Sequence, residues 1–195
     1  MTNDDVIDRF KKTGALLEGH FLLSSGLHSR VYLQCAIALQ STRDAIEFGA
    51  AIADHFRNQE AETVAAPAIG GLVIGYEVAR QLGARFIWTE RDGGIMSLRR
   101  GFSLRPGERV LVVEDVITTG GSTRDTIAAL RAGGGNVIGA ASIIDRSGGR
   151  ADVSVPRVSL ATLNVVSVSP DECDACKRGE PAIKPGSRKD NSSVQ

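Results

Sequence analysis

The sequence predicts an α/β fold, an open parallel sheet flanked by helices, and three observations lead there. Short runs that are apolar at nearly every position, TVAAPA, RFIWTE, RVLVVE and NVIGAASII, read as strands buried on both faces. Segments of helical periodicity lie between most of them, the alternation expected of a parallel sheet covered on both sides. The chain has 195 residues, 42% of them hydrophobic, enough for one sizeable core and short for two full domains.

The elements follow in order. Asn3 or Asp4 is a suitable cap for a first helix that carries Val6, Ile7 and Phe10 on one face and ends near Gly14. HFLLSSGLHSRVYLQCAIAL reads as two short strands around a Ser/Gly/His turn. Ile46, Gly49, Ile52, Ala53 and Phe56 recur at helical spacing and predict a second helix over Asp44 to Phe56. From Thr63 the pattern becomes strand, glycine turn and helix to Leu82; strand and polar stretch; strand, helix to about Arg131, and strand. Beyond Gly149 come short β segments and the polar run KPGSRKDNSSVQ, expected to be a flexible tail over about 184–195.

Lys plus Arg equals Asp plus Glu at 23 each, so no nucleic-acid or membrane partner is expected. No run reaches the length of a membrane span, and MTNDDVIDRFKK does not resemble a signal peptide, so a cytoplasmic location is expected. Three cysteines, Cys35, Cys173 and Cys176, do not make a disulfide framework. Cys173 and Cys176 form a single CxxC, for which metal binding across two chains, a redox pair and plain packing all remain open.

The chemistry concentrates in VLVVEDVITTGGST, Val110 to Thr123. The strand delivers Glu114 and Asp115 to the carboxyl edge of the sheet, where open α/β folds bind ligands. Ser122, with Asp125 three residues on, resembles a capping box and predicts a helix from Thr123. Thr118, Thr119, Gly120, Gly121 and Ser122 then form a turn whose N–H groups and hydroxyls meet a helix dipole, a cradle for phosphate without lysine. Two carboxylates beside it would repel a bare phosphate, so the ligand should carry hydroxyls or a metal as well. A ribose phosphate has both parts. Neither GxxxxGK[ST] nor a GxGxxG after a first strand is present, which argues against a P-loop or dinucleotide fold.

This stretch resembles the signature of type I phosphoribosyltransferases, which bind 5-phosphoribosyl 1-diphosphate. The resemblance implies that Glu114 and Asp115 face the ribose hydroxyls and that Val116, Ile117 and Thr118 to Ser122 surround the 5-phosphate. GALLEGHFLLSSGLHSRVYLQ is similar to the hood of the orotate-specific branch, implying base contacts from Ser25, Gly26, His28, Ser29 and Tyr32. APAIGG matches the loop over the diphosphate, which implicates Ala68, Ile69 and Gly70. IIDRSGG matches the strand end whose arginine, here Arg146, meets the orotate carboxylate, with Thr118 nearby. A guanidinium suits a planar carboxylate on physical grounds also. His20 and His55 are expected at the surface or in caps.

The resemblance covers nearly the whole chain, through ECDACKRGEP, and is nearest to a short-loop bacterial and archaeal branch. It implies one domain over 1–195, with a hood from about 14–40 and 150–183 and a core from about 41–149. It also implies transfer of ribose 5-phosphate to orotate in pyrimidine biosynthesis, Mg2+ held mainly by the diphosphate and ribose, and a homodimer with shared sites. A purine-base transferase and a non-catalytic nucleotide-sensing regulator are the alternatives. Several family cations are missing: Ser24 and Gly70 stand where lysines are expected, and TERDGGIMSLRRGFSL lacks the usual lysine and histidine. Arg91 matches that loop's arginine. With Arg99 and Arg100 it is the expected source of charge for the diphosphate, on a segment that Gly93 and Gly94 would let swing.

Overall fold

The computed structural model describes residues 1–23 and 25–185, so Ser24 and most of the expected tail lie outside the described residues. In chain order the elements are α1 (Asn3–Lys12), β1 (Leu16–Leu22), β2 (His28–Leu33), α2 (Cys35–Leu39), α3 (Thr42–Asp54), β3 (Thr63–Pro67), α4 (Leu72–Leu82) and β4 (Arg85–Asp92). They continue with β5 (Ile95–Leu98), β6 (Arg109–Ile117), α5 (Gly121–Ala132), β7 (Asn136–Asp145), β8 (Arg157–Thr162), β9 (Ser167–Val168) and α6 (Asp174–Lys177). The chain divides into two units, one of residues 1–15 and 34–164, the other of 16–33 and 165 onward.

The larger unit is built on a six-stranded sheet in the order β5-β4-β3-β6-β7-β8, parallel except for the β4–β5 hairpin. The chain leaves β3 through α4 to β4 on one side, then returns to place β6 on the other side of β3. That reversal is a topological switch point between β3 and β6, the place where open sheets leave a crevice. β6 supplies the logic of the core. Val110 and Val112 pack with Ile127 and Leu130 of α5, while Leu111 and Val113 alternate onto the opposite face and are fully buried. The second face is covered by α3 and α4, whose Phe48, Ile52, Ile74 and Val78 are buried.

Local chemistry moves several expected boundaries. The cap of α1 is Thr2, in a reciprocal capping box with Asp5, and Ser41 caps α3, which begins at Thr42, two residues before the start that apolar spacing alone suggests. CAIAL, expected as strand, is the short helix α2. Within RDGGIM the structure forms a hairpin, with Gly93 at φ 54° and Gly94 at φ 88°. A two-residue turn with positive φ at both positions matches the right-handed twist of strands. The glycine pair therefore closes β4 onto β5, where a swinging segment was expected.

In the smaller unit β1, β2 and β9 form a three-stranded antiparallel sheet. The register of β1 on β2 shifts between Glu18 and Phe21, a bulge that turns His20 and Phe21 inward in succession and breaks the period of two. α6 follows, with Cys173 as its N-cap. His55 is the exposed C-cap of α3, whereas His20 and His28 are 5% and 7% exposed and do not lie at the surface. Among the described residues no helix is long and apolar enough to cross a membrane.

Candidate active site at the switch point

The last pairing of β6 with β3 is at Val112, and β6 continues to Ile117 held by β7 alone. Glu114 and Asp115 lie on this overhang. Because side chains alternate along a strand, they leave on opposite faces. Glu114 points as Val112 does, toward α5, and accepts a short hydrogen bond from the Thr123 hydroxyl. Asp115 points as Val113 does, where it accepts from the Val116 amide at 2.8 Å and from the Cys35 thiol of α2.

Burial sets the charge of both acids. Desolvation, with a smaller contribution from the Asp115 charge, pushes the Glu114 carboxyl up to about 7 against the Thr123 hydrogen bond. Burial raises Asp115 as well, opposed by hydrogen bonds from the Val116 amide and Cys35. The Cys35 thiol, desolvated first and then repelled by Asp115, is held well above its ordinary value. A neutral neighbour therefore supports Asp115 from beneath. Sequence reasoning missed Cys35, and its only signal was a polarisable residue within an apolar run.

The two glycine turns stand on either side of this overhang. Ala68, Ile69 and Gly70 connect β3 to α4, with a cis peptide between Ala68 and Ile69 and the Ile69 side chain exposed. A Cβ added at Gly70 would lie 2.7 Å from an Asp115 carboxylate oxygen. The backbone approaches Asp115 so closely that no side chain fits there, which accounts physically for glycine at a position where the family pattern has lysine. On the other side α5 begins at Gly121 with Gly120 as its N-cap and no side-chain cap. The expected cap at Ser122 is displaced by two residues: Gly120, in the left-handed region, starts the helix first, and Asp125 turns instead to Arg91 at 2.8 Å. Thr118, Thr119 and Ser122 are exposed around this terminus. Arg124, not foreseen, fixes the turn by donating to the carbonyls of Thr119 at 2.9 Å and Asp152 at 2.6 Å.

Arg146 follows β7, and its amide donates to the Ile117 carbonyl at 2.8 Å, which sets it beside the end of β6. Asp145 shapes this loop. It is 1% exposed, pairs with Arg157 at 2.8 Å, and accepts from the amides of Ser147 and Gly149. Hydrogen bonds from Ser147 and Arg157 and the Arg157 charge hold its carboxyl low despite burial. No ion pair or hydrogen bond engages the Arg146 guanidinium among the described residues.

The hairpin arginines are engaged. Arg91 pairs with Asp125 and donates to the Gly94 carbonyl, Arg99 pairs with Asp92 at 3.1 Å, and Arg100 pairs with Glu90 at 2.8 Å. All three lie on or next to the β4–β5 hairpin of their own chain. In the smaller unit, Ser25 and Gly26 are exposed in the β1–β2 turn, Tyr32 lies 5.8 Å from Phe21 ring to ring, and Ser29 is buried with its hydroxyl on the Val31 carbonyl.

A crevice at a sheet switch point, bounded by one glycine turn, two half-buried acids and an uncapped helix start, is the ligand-site arrangement of an open α/β protein. Residues 39–174 match the family of the phosphoribosyl transferase domain. Orotate phosphoribosyltransferase from Pelotomaculum thermopropionicum is 51% identical over 189 residues, covering 97% of this chain and all of the relative. That from Thermotoga petrophila is 51% identical over 178 residues, covering 91% and 95%. Among solved structures, orotate phosphoribosyltransferase from Aeropyrum pernix superposes with a TM-score of 0.68 at 30% identity, over 81% of this chain and 93% of that one. The chain belongs to the orotate phosphoribosyltransferase family.

Proposed function

We propose that the protein transfers ribose 5-phosphate from 5-phosphoribosyl 1-diphosphate to N1 of orotate, giving orotidine 5-phosphate and diphosphate, as a homodimer in the cytoplasm. One observation carries this reading: two half-buried, desolvated acids run directly into the uncapped start of α5, at the switch point of a chain that shares half its residues with orotate phosphoribosyltransferases.

The roles follow from the chemistry of each group. The amides and hydroxyls of Thr118 to Ser122 anchor the 5-phosphate, aided by the dipole of α5. Glu114 and Asp115 hold the ribose as positive charge grows at its anomeric carbon, an electrostatic contribution that strengthens in a desolvated crevice. Arg146, whose guanidinium has no partner among the described residues, is the group best able to meet the orotate carboxylate bidentately. Ser25, Gly26, Thr118 and Tyr32 are assigned to the base from the family resemblance. Ala68, Ile69 and Gly70 lie along the diphosphate, with Arg91, Arg99 and Arg100 supplying charge after exchanging their present acids for it.

A carboxylate with a side-chain-free backbone against it, Asp115 beside Gly70, suits a hard divalent cation that keeps most of its ligands from phosphate and water. Magnesium, when bound with the diphosphate, would neutralise the leaving group. Asp115 is the carboxylate offered to it, and Gly70 leaves the space.

A groove of about 500 Å³ on α3, α4 and β4 supports the dimer. It is lined by Ile46, Val73, Tyr76, Phe86 and Trp88, and the first three are exposed. An apolar face of this kind is usually covered by a partner.

The test is diphosphate release from 5-phosphoribosyl 1-diphosphate with magnesium and a panel of orotate, uracil, adenine, guanine and hypoxanthine. Turnover with orotate alone is expected. Turnover with a purine instead would identify a purine-base enzyme, and none with any base would leave the nucleotide-sensing regulator.

A further inference from the structure

The smaller unit brings together four side chains outside the roles assigned above, among them His28, which the family resemblance set at the base but which is buried against His20 and Cys176. His20 comes from the bulge of β1, His28 begins β2, and Cys173 and Cys176 bracket the first turn of α6. Their ligand atoms all lie within 4.8 Å of one another. Cys173 Sγ is 3.4 Å and Cys176 Sγ 3.7 Å from His20 Nε2, and Cys176 Sγ is 3.2 Å from His28 Nδ1. Tetrahedral zinc with ordinary Zn–S and Zn–N bonds separates nitrogen from sulfur by about 3.6 Å. The His20 Nε2 to His28 Nδ1 distance of 2.7 Å is shorter than the ~3.3 Å expected between two zinc-bound nitrogens, so a small parting of the rings admits the ion.

We infer that His20, His28, Cys173 and Cys176 form a mononuclear structural zinc site within one chain. This corrects the expectation that the CxxC has too few ligands without a second chain, since the β1–β2 hairpin supplies the other two. Three further features support it. His20 Nδ1 lies 2.9 Å from the Glu180 carbonyl; donating there fixes the tautomer that leaves Nε2 free for metal. The amides of Ala175 and Cys176 point at the Cys173 sulfur, as suits a thiolate. Four ligands with three of them buried make a closed site, without the open position of a catalytic zinc.

The chemical need is local. β9 adds only two residues to the sheet, α6 has one turn, and Ile183 makes a single bridge to Phe21 of β1, so only a few backbone hydrogen bonds tie the segment after 165 to the hairpin. A metal joining His20 and His28 to Cys173 and Cys176 closes a loop of some 145 residues at its neck, constraining the unfolded chain as a crosslink does. Binding is balanced by release of two protons, one from each thiol. A two-iron cluster is a poorer fit, because ligands to two irons would spread in pairs beyond this single compact group.

The full chain, expressed without a histidine tag in zinc-supplemented medium, should contain one zinc per chain by elemental analysis, released when a mercurial blocks the thiols. After chelation under reducing conditions, cobalt titration should produce the intense visible bands of a tetrahedral ion with thiolate charge transfer, saturating at one equivalent. Zinc should bleach those bands and restore the melting temperature lowered by chelation, whereas magnesium should do neither. Cys176→Ser and His28→Asn should each weaken zinc binding at least tenfold. Because a variant can simply fail to fold, the wild-type cobalt spectrum decides alone. Absence of a thiolate band and of stoichiometric zinc in folded protein would overturn the site, as would two thiols that react freely at undiminished rate with zinc present. None of these readouts depends on transferase activity.

Discussion

Replacing Glu114 by Gln removes a charge that the folded protein holds at a cost, and the cost has a definite pH dependence. Burial moves the carboxyl from 4.5 to about 7. The folded state thus takes up a proton more readily than the unfolded chain, and the associated stability is fully present below about pH 4.5 and is lost as pH rises through about 7. The loss amounts to about 3 kcal/mol at its limit, of which about 2.5 kcal/mol falls between pH 5 and pH 8. Glutamine still accepts from the Thr123 hydroxyl but does not ionise. Its uncompensated amide adds a penalty of about 1 kcal/mol that does not vary with pH and so cancels in the difference. Urea denaturation of both proteins without ligand, at about pH 5 and pH 8, should therefore show Glu114→Gln gaining about 2 to 3 kcal/mol relative to the parent over that interval. Transferase activity should fall at both pH values. Parallel stabilities at the two pH values would refute a buried, proton-holding Glu114, and with it the assignment of a desolvated acid to the ribose.

Two further outcomes test the assigned contacts. Arg146→Ala should raise KM for orotate and narrow the preference for orotate over uracil by roughly 2 kcal/mol, about thirtyfold, and an unchanged ratio would move the carboxylate contact to another residue. Arg91→Ala and Asp115→Asn should each be nearly inactive, Asp115→Asn by about a hundredfold or more in kcat/KM. If Arg91 reaches the partner's site across the proposed dimer, activity should reappear when the two exchange subunits, because one site of the heterodimer then carries both defects and the other neither. Verified heterodimers without recovery would confine Arg91 to its own chain's site.

Much of the larger unit was legible because its determinants are local. Continuous apolar runs identify β3, β4, β6 and β7, and the period of two along β6 already implies that Glu114 and Asp115 part to opposite faces. The start of α5 was misplaced because Ser122 is a good cap in isolation, while the left-handed Gly120 begins the helix earlier and leaves the turn uncapped. Local preference for a capping box lost to the geometry in which β6 meets α5. The hairpin at Gly93 and Gly94 was readable from its turn residues, but its meaning was not. Nothing near Arg91 reveals that Asp125, 34 residues later, will bind it.

The smaller unit shows the same limit in sharper form. CxxC alone is two ligands, and neither His20 nor His28 lies in a metal-binding spacing with it, the pairs being about 150 residues apart. The alternation of β1 places His20 and Phe21 on opposite faces, and only the bulge after Glu18, set by pairing with β2, turns both inward. A one-residue irregularity thus decides whether the histidine faces solvent or sulfur. The same reasoning separates the two kinds of site in this chain. The acids of β6 inherit their surroundings from the strand that carries them and from the turn directly after it, so a contiguous motif suffices to find them. The histidine–cysteine cluster exists only where a bulged hairpin and a distant single-turn helix come together, and it becomes visible only through the fold.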